Sequence, residues 1–319
     1  YAIRAVTTGS NNTAIGKDAL MTNQTGNNNT ALGYRSLEVN TANNNTAVGY
    51  KSLLANTSAA AVTGVGYQAL AANTTGAENT AVGSSALGAN ITGGQNTAMG
   101  AYALVANTTG SDNVAIGKNV LSTNTSGGSN VAVGNYSLNL NATGGNNTAI
   151  GFYALGKNTA SDGTAVGISA LKENTTGAQN TAVGANALEK NTTGNANTAS
   201  GYNALNFNQT GHNNAATGYK ALKNNTTGNA NTAVGSSALE INTTGNENTA
   251  VGSNALEKNN NGTHNTATGH DALRDNSSGS QNTAIGHNAL KLTNANTNTA
   301  VGKDALTLNT SGQYNTATG

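Results

Sequence analysis

The sequence predicts an all-β fold, a parallel β-solenoid of about 18 coils. Three observations predict it: a strict 17-residue period, two short apolar pulses per period without helical spacing, and bends of Asn, Thr and Gly between them. The Gly that closes each N-T-A-x-G motif falls at Gly16, Gly33, Gly49, Gly66, Gly83, Gly100, Gly117, Gly134, Gly151, Gly167, Gly184, Gly201, Gly218, Gly235, Gly252, Gly269, Gly286, Gly302 and Gly319. Steps are 17 residues, with three of 16. The consensus N-T-A-V-G-x-x-A-L-x-x-N-T-T-G-x-x is clearest at Asn231–Glu247, and its places are numbered 1 to 17 below.

The period decides the class against two competitors. Only 8% of the 319 residues are charged and 4% aromatic, against roughly 25% charged in ordinary globular chains. That composition alone would also fit a disordered tract, but an unbroken period with fixed apolar places does not. Helical solenoids need longer units and an i, i+3, i+4 apolar pattern, which these short Asn- and Gly-rich units lack. The array reads as one continuous domain over residues 1–319, in which Tyr1 to Asn11 fits the tail of one more repeat, with Ala2 and Ile3 at the A-L pair and Gly9 at the turn glycine. A start without Met inside a repeat predicts a segment cut from something longer.

Each place has a predicted role. The alternating Thr-Ala-Val and the Ala-Leu pair are read as two strands, and Gly-x-x and Asn-Thr-Thr-Gly as two bends, so that two strands and two bends make one coil. Coils stacked at about 4.8 Å would give a rod of roughly 90 Å. Leu fills place 9 without exception, at Leu20, Leu37, Leu53, Leu70, Leu87, Leu104, Leu121, Leu138, Leu155, Leu171, Leu188, Leu205, Leu222, Leu239, Leu256, Leu273, Leu290 and Leu306, and is expected to form the core ladder. Place 3 is Ala in every N-T-A-x-G copy except Gly64, as expected where a wall leaves no room beyond a methyl. Place 4 varies among Val, Ile, Leu and Met but admits Ser200, Thr217, Thr268 and Thr318. Strand alternation puts place 3 on one face and places 2 and 4 on the other; Ala and Leu are expected to fill the coil interior and the place-4 residues to face a neighbouring chain. A lone coil with so few large side chains buries little, so self-association as a homotrimer is expected. The shortened steps fall at Asn40 to Asn44, Asn158 to Asp162 and Asn294 to Thr297, where the turn Gly is lost and a bend tolerates deletion. Asn at places 1 and 12, for example Asn107, Asn191, Asn225 and Asn242, is expected to form hydrogen-bonded amide ladders along the stack.

Charge and chemistry exclude most other functions. Net charge is +1, with 14 basic and 13 acidic residues scattered singly, so no footprint for nucleic acid or an anionic membrane is present. There is no Cys and no apolar run long enough to span a bilayer. No fixed acid, nucleophile or phosphate loop recurs, so no catalytic residue, cofactor or metal is expected and the chain is read as not an enzyme. His270 and His287 occupy equivalent places on adjacent rungs, but a tetrahedral metal site would need further ligands. His212 and His264 are isolated, and Asp18, Asp271 and Asp304 share place 7 without forming a calcium motif. Tyr34, Tyr50, Tyr67, Tyr202 and Tyr219 follow the place-5 Gly, with Tyr102, Tyr136 and Tyr153 one residue later; such rows seal an edge or groove, or form a sugar-stacking strip. Asn-x-Ser/Thr triplets are products of the repeat itself.

N-T-A-I-G at Asn12–Gly16, N-V-A-I-G at Asn113–Gly117 and N-V-A-V-G at Asn130–Gly134 resemble the S-V-A-I-G head repeats of trimeric autotransporter adhesins. The N-T-A-x-G-Y-x-A-L style is also similar to shafts of trimeric phage tail fibres and bacterial surface fibres. The likeness covers essentially the whole chain, although the unit here is longer than the adhesin head repeat. It implies a left-handed β-roll in which three chains join side by side. It also implies an extracellular place, on an outer-membrane-anchored bacterial fibre or a phage virion. The function implied is attachment to a host, prey cell or surface, through a glycan or protein receptor. Two alternatives stand beside it. The place-2 Thr column, including Thr80, Thr97, Thr232, Thr249, Thr266 and Thr283, could match an ice lattice, although Val114, Val131 and Ala215 interrupt it. A polymerising sheath or matrix filament would share the same coil.

Overall fold

The structure, a computed structural model, describes residues 2–319; Tyr1, placed above in the tail of a preceding repeat, lies outside the described residues. The chain forms two compact units, one ending at Ser161 and one covering Asp162–Gly319. In the first, strands β1 (Thr13–Ile15) through β9 (Thr148–Ile150) pair in chain order, all parallel. In the second, β10 (Thr164–Val166) through β19 (Thr316–Thr318) do the same. Register never slips: Ala faces Ala on the next rung, as in Ala233 beside Ala250. The chain is therefore an all-β parallel solenoid with a 17-residue coil. No helix occurs among the described residues.

Only one of the two apolar pulses is a strand. Places 2 to 4 form it, a β-branched Thr and Val around a small Ala. The Ala-Leu pair, expected as a second strand, lies instead in a bend with two left-handed residues: in the rung of Asn231–Glu247, Ser237 has φ 55° and Leu239 φ 52°. Place 17 is left-handed as well, as at Glu247 with φ 57°. A left-handed L-residue costs roughly 1–2 kcal/mol, and Leu is an unusual occupant. What holds it is burial together with a bond between rungs, since Leu239 is 0% exposed and its N–H donates to the Ala255 carbonyl at 2.9 Å. The apolar rhythm of A-L survives because the bend turns the Leu side chain inward. The left-handed geometry at places 7 and 9 breaks strand pairing there.

Glycine at place 5 has no substitute. At Gly235, φ is +135°, and an added Cβ would sit 2.5 Å from the Gly252 carbonyl oxygen of the next rung. Backbone groups elsewhere are satisfied from rung to rung. Thr232 N–H donates to Asn248 O at 2.8 Å, Gly235 N–H to Thr217 O at 2.8 Å and Ser237 N–H to Tyr219 O at 2.9 Å. Coil pairs with coil by backbone around most of the circuit, although the assigned strand is only three residues long.

The left-handed places offer a test of this account. Ala230 occupies place 17 at φ 54° with no side-chain bond to hold it there. Ala230→Gly relieves about 1–2 kcal/mol of backbone strain against about 0.4–1 kcal/mol of added unfolded-state freedom. Urea denaturation should show a small net gain in stability. A loss of more than about 1 kcal/mol would mean that the bend is not strained.

Candidate functional site

The Leu side chains of place 9 lie fully buried from Leu20 to Leu290, and Leu306 is half-buried. Around them are the Ala methyls of places 3 and 8 and, unusually for a core, the two Asn columns. At place 12, Asn225 Nδ2 donates to Asn208 Oδ1 of the previous rung at 2.7 Å and to its own Gly228 carbonyl at 2.9 Å. Asn242 and Asn259 continue the ladder at 2.8 and 2.7 Å. At place 1, Asn231 offers both its backbone N–H and its Nδ2 to Asn214 Oδ1, at 3.0 and 3.1 Å, while Nδ2 also reaches Gly245 O at 2.8 Å. One turn carbonyl therefore receives both amides of its coil, because Asn242 Nδ2 donates to the same Gly245 oxygen at 2.9 Å. A Cβ on Gly245 would run into Asn242 Oδ1 and the Gly262 carbonyl, which favours glycine at place 15, although Ala59 holds that place in its own rung and its carbonyl still receives Asn45 Nδ2 and Asn56 Nδ2 at 2.9 and 3.0 Å. The expected amide ladders are present, and they are interior: Asn225, Asn231 and Asn242 are 0% exposed.

The shortened rungs are where the place-12 ladder falters. In the first, Ala42 takes over as the carbonyl partner of Asn40, at 2.8 Å, and Asn23 Oδ1 accepts from Gly26 N–H at 3.1 Å. In the second, Asn158 Nδ2 turns to Asn147 Oδ1 at 3.4 Å and Ala160 O at 2.7 Å, leaving Asn141 Oδ1 buried without a partner. In the third, Thr293 stands where the next Asn would be, and Asn276 Oδ1 is left in the same condition. In the first two rungs the place-12 amide bonds within its own coil instead of to the rung before, and in the third the amide is replaced by a hydroxyl. At place 1, Val62 and Gly163 stand in for Asn, and Asn79 Nδ2 bonds the turn carbonyls of Gly76 and Gly93 instead.

Outside, the strand ladder presents Thr at place 2 and an apolar residue at place 4. Exposed along this face are Leu32, Met99, Ile116 and Ile150 in the first unit and Val183, Val234, Val251 and Ile285 in the second. Aromatic residues on successive rungs stack on one another. Tyr34, Tyr50 and Tyr67 form a column with centroids 5.4 and 5.3 Å apart, and Tyr202 and Tyr219 pair at 5.7 Å. Tyr136 stacks on Tyr153 at 5.0 Å. These rings are exposed or half-exposed rather than sealing a groove within the chain. His270 and His287 stack in the same way at 5.3 Å, each with an Asp near Nδ1 at 3.5 and 3.9 Å. No group of three or more His, Cys, Asp or Glu that could hold a metal occurs among the described residues. Place 16 adds a short outer ladder in which His212 Nδ1 accepts the Asn195 N–H at 3.0 Å and His212 N–H donates to Asn229 Oδ1 at 2.8 Å.

Places 7, 10 and 11 of the second unit carry interlaced charges that the sequence showed only as scattered residues. Arg274 bridges Asp271 and Asp275 at 3.2 and 2.7 Å, Lys258 meets Asp275 at 2.7 Å, and Lys291 meets Asp271 at 2.8 Å. The Arg274 hydrogen bond holds the Asp275 carboxyl below the usual range, with Lys258 adding to it. Burial opposes the same shift at Asp271, but hydrogen bonds from Lys291 and Asn254 outweigh it, and that carboxyl is lowered too. The spacing of these residues was the available signal: three and four places apart on a bend that repeats, they meet both within and between rungs. Among the shallow hollows on the surface of the described residues are two of note. One of about 500 Å³ in the first unit has Ala71, Ala72, Gly88, Ala89 and Val105 as floor with Gln68 and Ser85 beside it. The other, of about 300 Å³ in the second, is bordered by Glu173, Lys190, Thr192, Phe207 and Gln209.

Interior amides and a bare outer sheet define a β-solenoid repeat protein. Comparison with models of known protein families, with curated proteins and with solved structures gave no match.

Two measurements test this description. Asn225→Ala removes the donor to Asn208 Oδ1 and the acceptor of Asn242 Nδ2, and should cost about 2–4 kcal/mol in urea denaturation. The neighbouring Asn224→Ala, outside the ladder, should cost about 0.5 kcal/mol or less. The second concerns acid. A carboxyl whose folded pKa lies below its unfolded value of about 3.9 stabilises the fold above that pH and loses the contribution as pH falls through the folded value. Asp271 and Asp275 should therefore make the second unit less stable below about pH 4, and Asp275→Asn should flatten that dependence in thermal melts taken across the range.

Proposed function

We propose that this chain is a structural and adhesive segment of an extracellular fibre, which self-associates as a homotrimer and presents a rigid shaft or head for attachment to a host, prey cell or surface. The observation that carries the reading is the uncovered strand face. Parallel sheets are ordinarily buried on both sides, yet here the outer face of a parallel ladder leaves Val234, Val251 and Ile285 about two-fifths exposed, at 42%, 38% and 42%, with Thr268 between the last two. Apolar surface that continues over many rungs marks an interaction site, and a second and third copy of the same ladder are periodic partners for it. The resemblance to trimeric adhesin and tail-fibre repeats supports three copies and an extracellular place.

Light scattering on the purified chain tests the reading, with an expected mass three times that of one chain. The double variant Val234→Lys, Val251→Lys should lower that mass while leaving the far-UV circular dichroism of the coil unchanged. A monodisperse monomer would overturn the proposal and shift attention to the place-2 Thr column, for which thermal hysteresis is the direct assay of ice binding. Long unbranched polymers would instead favour a matrix filament.

A further inference from the structure

The geometry points to a binding site for a neutral saccharide in the hollow of the second unit bordered by Glu173, Lys190, Thr192, Phe207 and Gln209. This rests on the adhesive reading above and names the chemistry of its partner. The residues come from places 11 and 13, which flank the buried Asn of place 12 and project outward. Their backbone is fixed between rungs: Glu173 N–H donates to Glu189 O, Lys190 N–H to Asn206 O and Phe207 N–H to Lys223 O, each at 2.9 Å. Thr192 sends both its N–H and its hydroxyl to Gln209 O, at 3.0 and 2.9 Å. Glu173, Lys190 and Phe207 therefore stand in a row on consecutive rungs, about 4.8 Å apart.

Phe207 is one of only two Phe in the chain and is 41% exposed, with a ring that borders the hollow instead of packing in the core. An exposed aromatic face complements the apolar C–H face of a pyranose. Around it the hollow offers a carboxylate acceptor, an ammonium donor and an amide that does both, the set needed for vicinal hydroxyls. The charges have partners of opposite sign beside them, Lys190 with Glu189 at 3.3 Å and Glu173 with Lys172 at 3.9 Å. Lys190 and Glu173 are also opposite in sign, which leaves no net charge on the lining residues to select an ionic ligand. A volume of about 300 Å³ is at the small end for ligand sites, and an open shape suits one or two sugar rings of a longer chain. A single lining carboxylate argues for binding without cleavage, because glycoside hydrolysis ordinarily uses two.

The test is an array of neutral hexose and N-acetylhexosamine oligosaccharides probed with the full chain, followed by titration calorimetry with the best oligosaccharide. Two variants copy residues found at the same places in other rungs, so that the coil is preserved: Phe207→Asn, as at Asn224, and Gln209→Thr, as at Thr192. Each should weaken binding, Phe207→Asn by roughly tenfold, with unchanged melting and unchanged mass by light scattering. Absence of any bound neutral oligosaccharide, preference for anionic glycans alone, or binding that both variants leave intact would each overturn the inference. A trimer that adheres to cells but fails the array sinks the saccharide site alone. A monomer that still binds sugar sinks the fibre reading alone.

Discussion

Everything in this coil depends on buried amides that have nowhere to bond except to the rung above or below. An Asn side chain taken out of water without partners costs several kcal/mol, and here most coils take two of them out completely. Asn231 and Asn242 escape that penalty only because Asn214 and Asn225 present an oxygen at the right height and Gly245 turns its carbonyl to both. The requirement is mutual, so it propagates. Each rung must repeat its neighbour closely, and a residue that breaks the repeat inside leaves an orphaned oxygen, as Thr293 does for Asn276. This is why the period survives across the chain although single apolar contacts in so thin a core are weak.

The same constraint explains the glycines and the left-handed residues. Two amides, a Leu and two Ala methyls fill the interior of a consensus rung, so the backbone at place 5 must pass its neighbour without a Cβ, and at place 15 only Ala59 replaces glycine in a full-length rung. Turning a 17-residue circuit around so small an interior also takes sharp bends, and three non-glycine residues per rung supply them in left-handed conformation. Strain of that kind would be untenable in an isolated hairpin. It persists here because rung-to-rung hydrogen bonds on both sides over-determine the backbone, as at Leu239 and Ser237.

Much of this was legible in the sequence because a period states which residues are equivalent. Place 9 is Leu in every repeat after the partial first one, place 3 is almost always Ala, and Asn recurs at places 1 and 12, so the buried ladders could be named residue by residue. The Ala-Leu segment was misread as a strand, and the reason is physical: an inward Leu beside an inward Ala gives the same apolar pulse whether the backbone is extended or left-handed. Nothing in Ser237 or Leu239 advertises positive φ, since neither is Gly or Asn. The depth of burial of the Asn columns was also hidden, because Asn-Thr-Thr-Gly reads as surface bend chemistry until the stacking of one bend on the next is known. Contacts on the outer surface were least legible. Arg274 lies beside Asp275 in sequence but meets Lys258 and Lys291 only through their shared partners Asp275 and Asp271.

Interior uniformity has a further consequence for where function can reside. In each rung packing or the ladders lock places 1, 3, 5, 8, 9 and 12, and many of the others vary with little effect on the coil. Those free places are 4, 6, 7, 10, 11, 13 and 16, and they are where the chain departs from its own consensus: the tyrosine columns, the charge lattice of residues 254 to 291, and Phe207 beside Gln209. In a globular domain a functional residue stands out by its position in a cleft. In this solenoid it stands out by differing from its counterparts one rung away, at a place where difference costs little stability. By that criterion the second unit, with an aromatic ring and a Gln replacing more ordinary neighbours on a single rung, carries more particular chemistry than the alanine-floored hollow of the first.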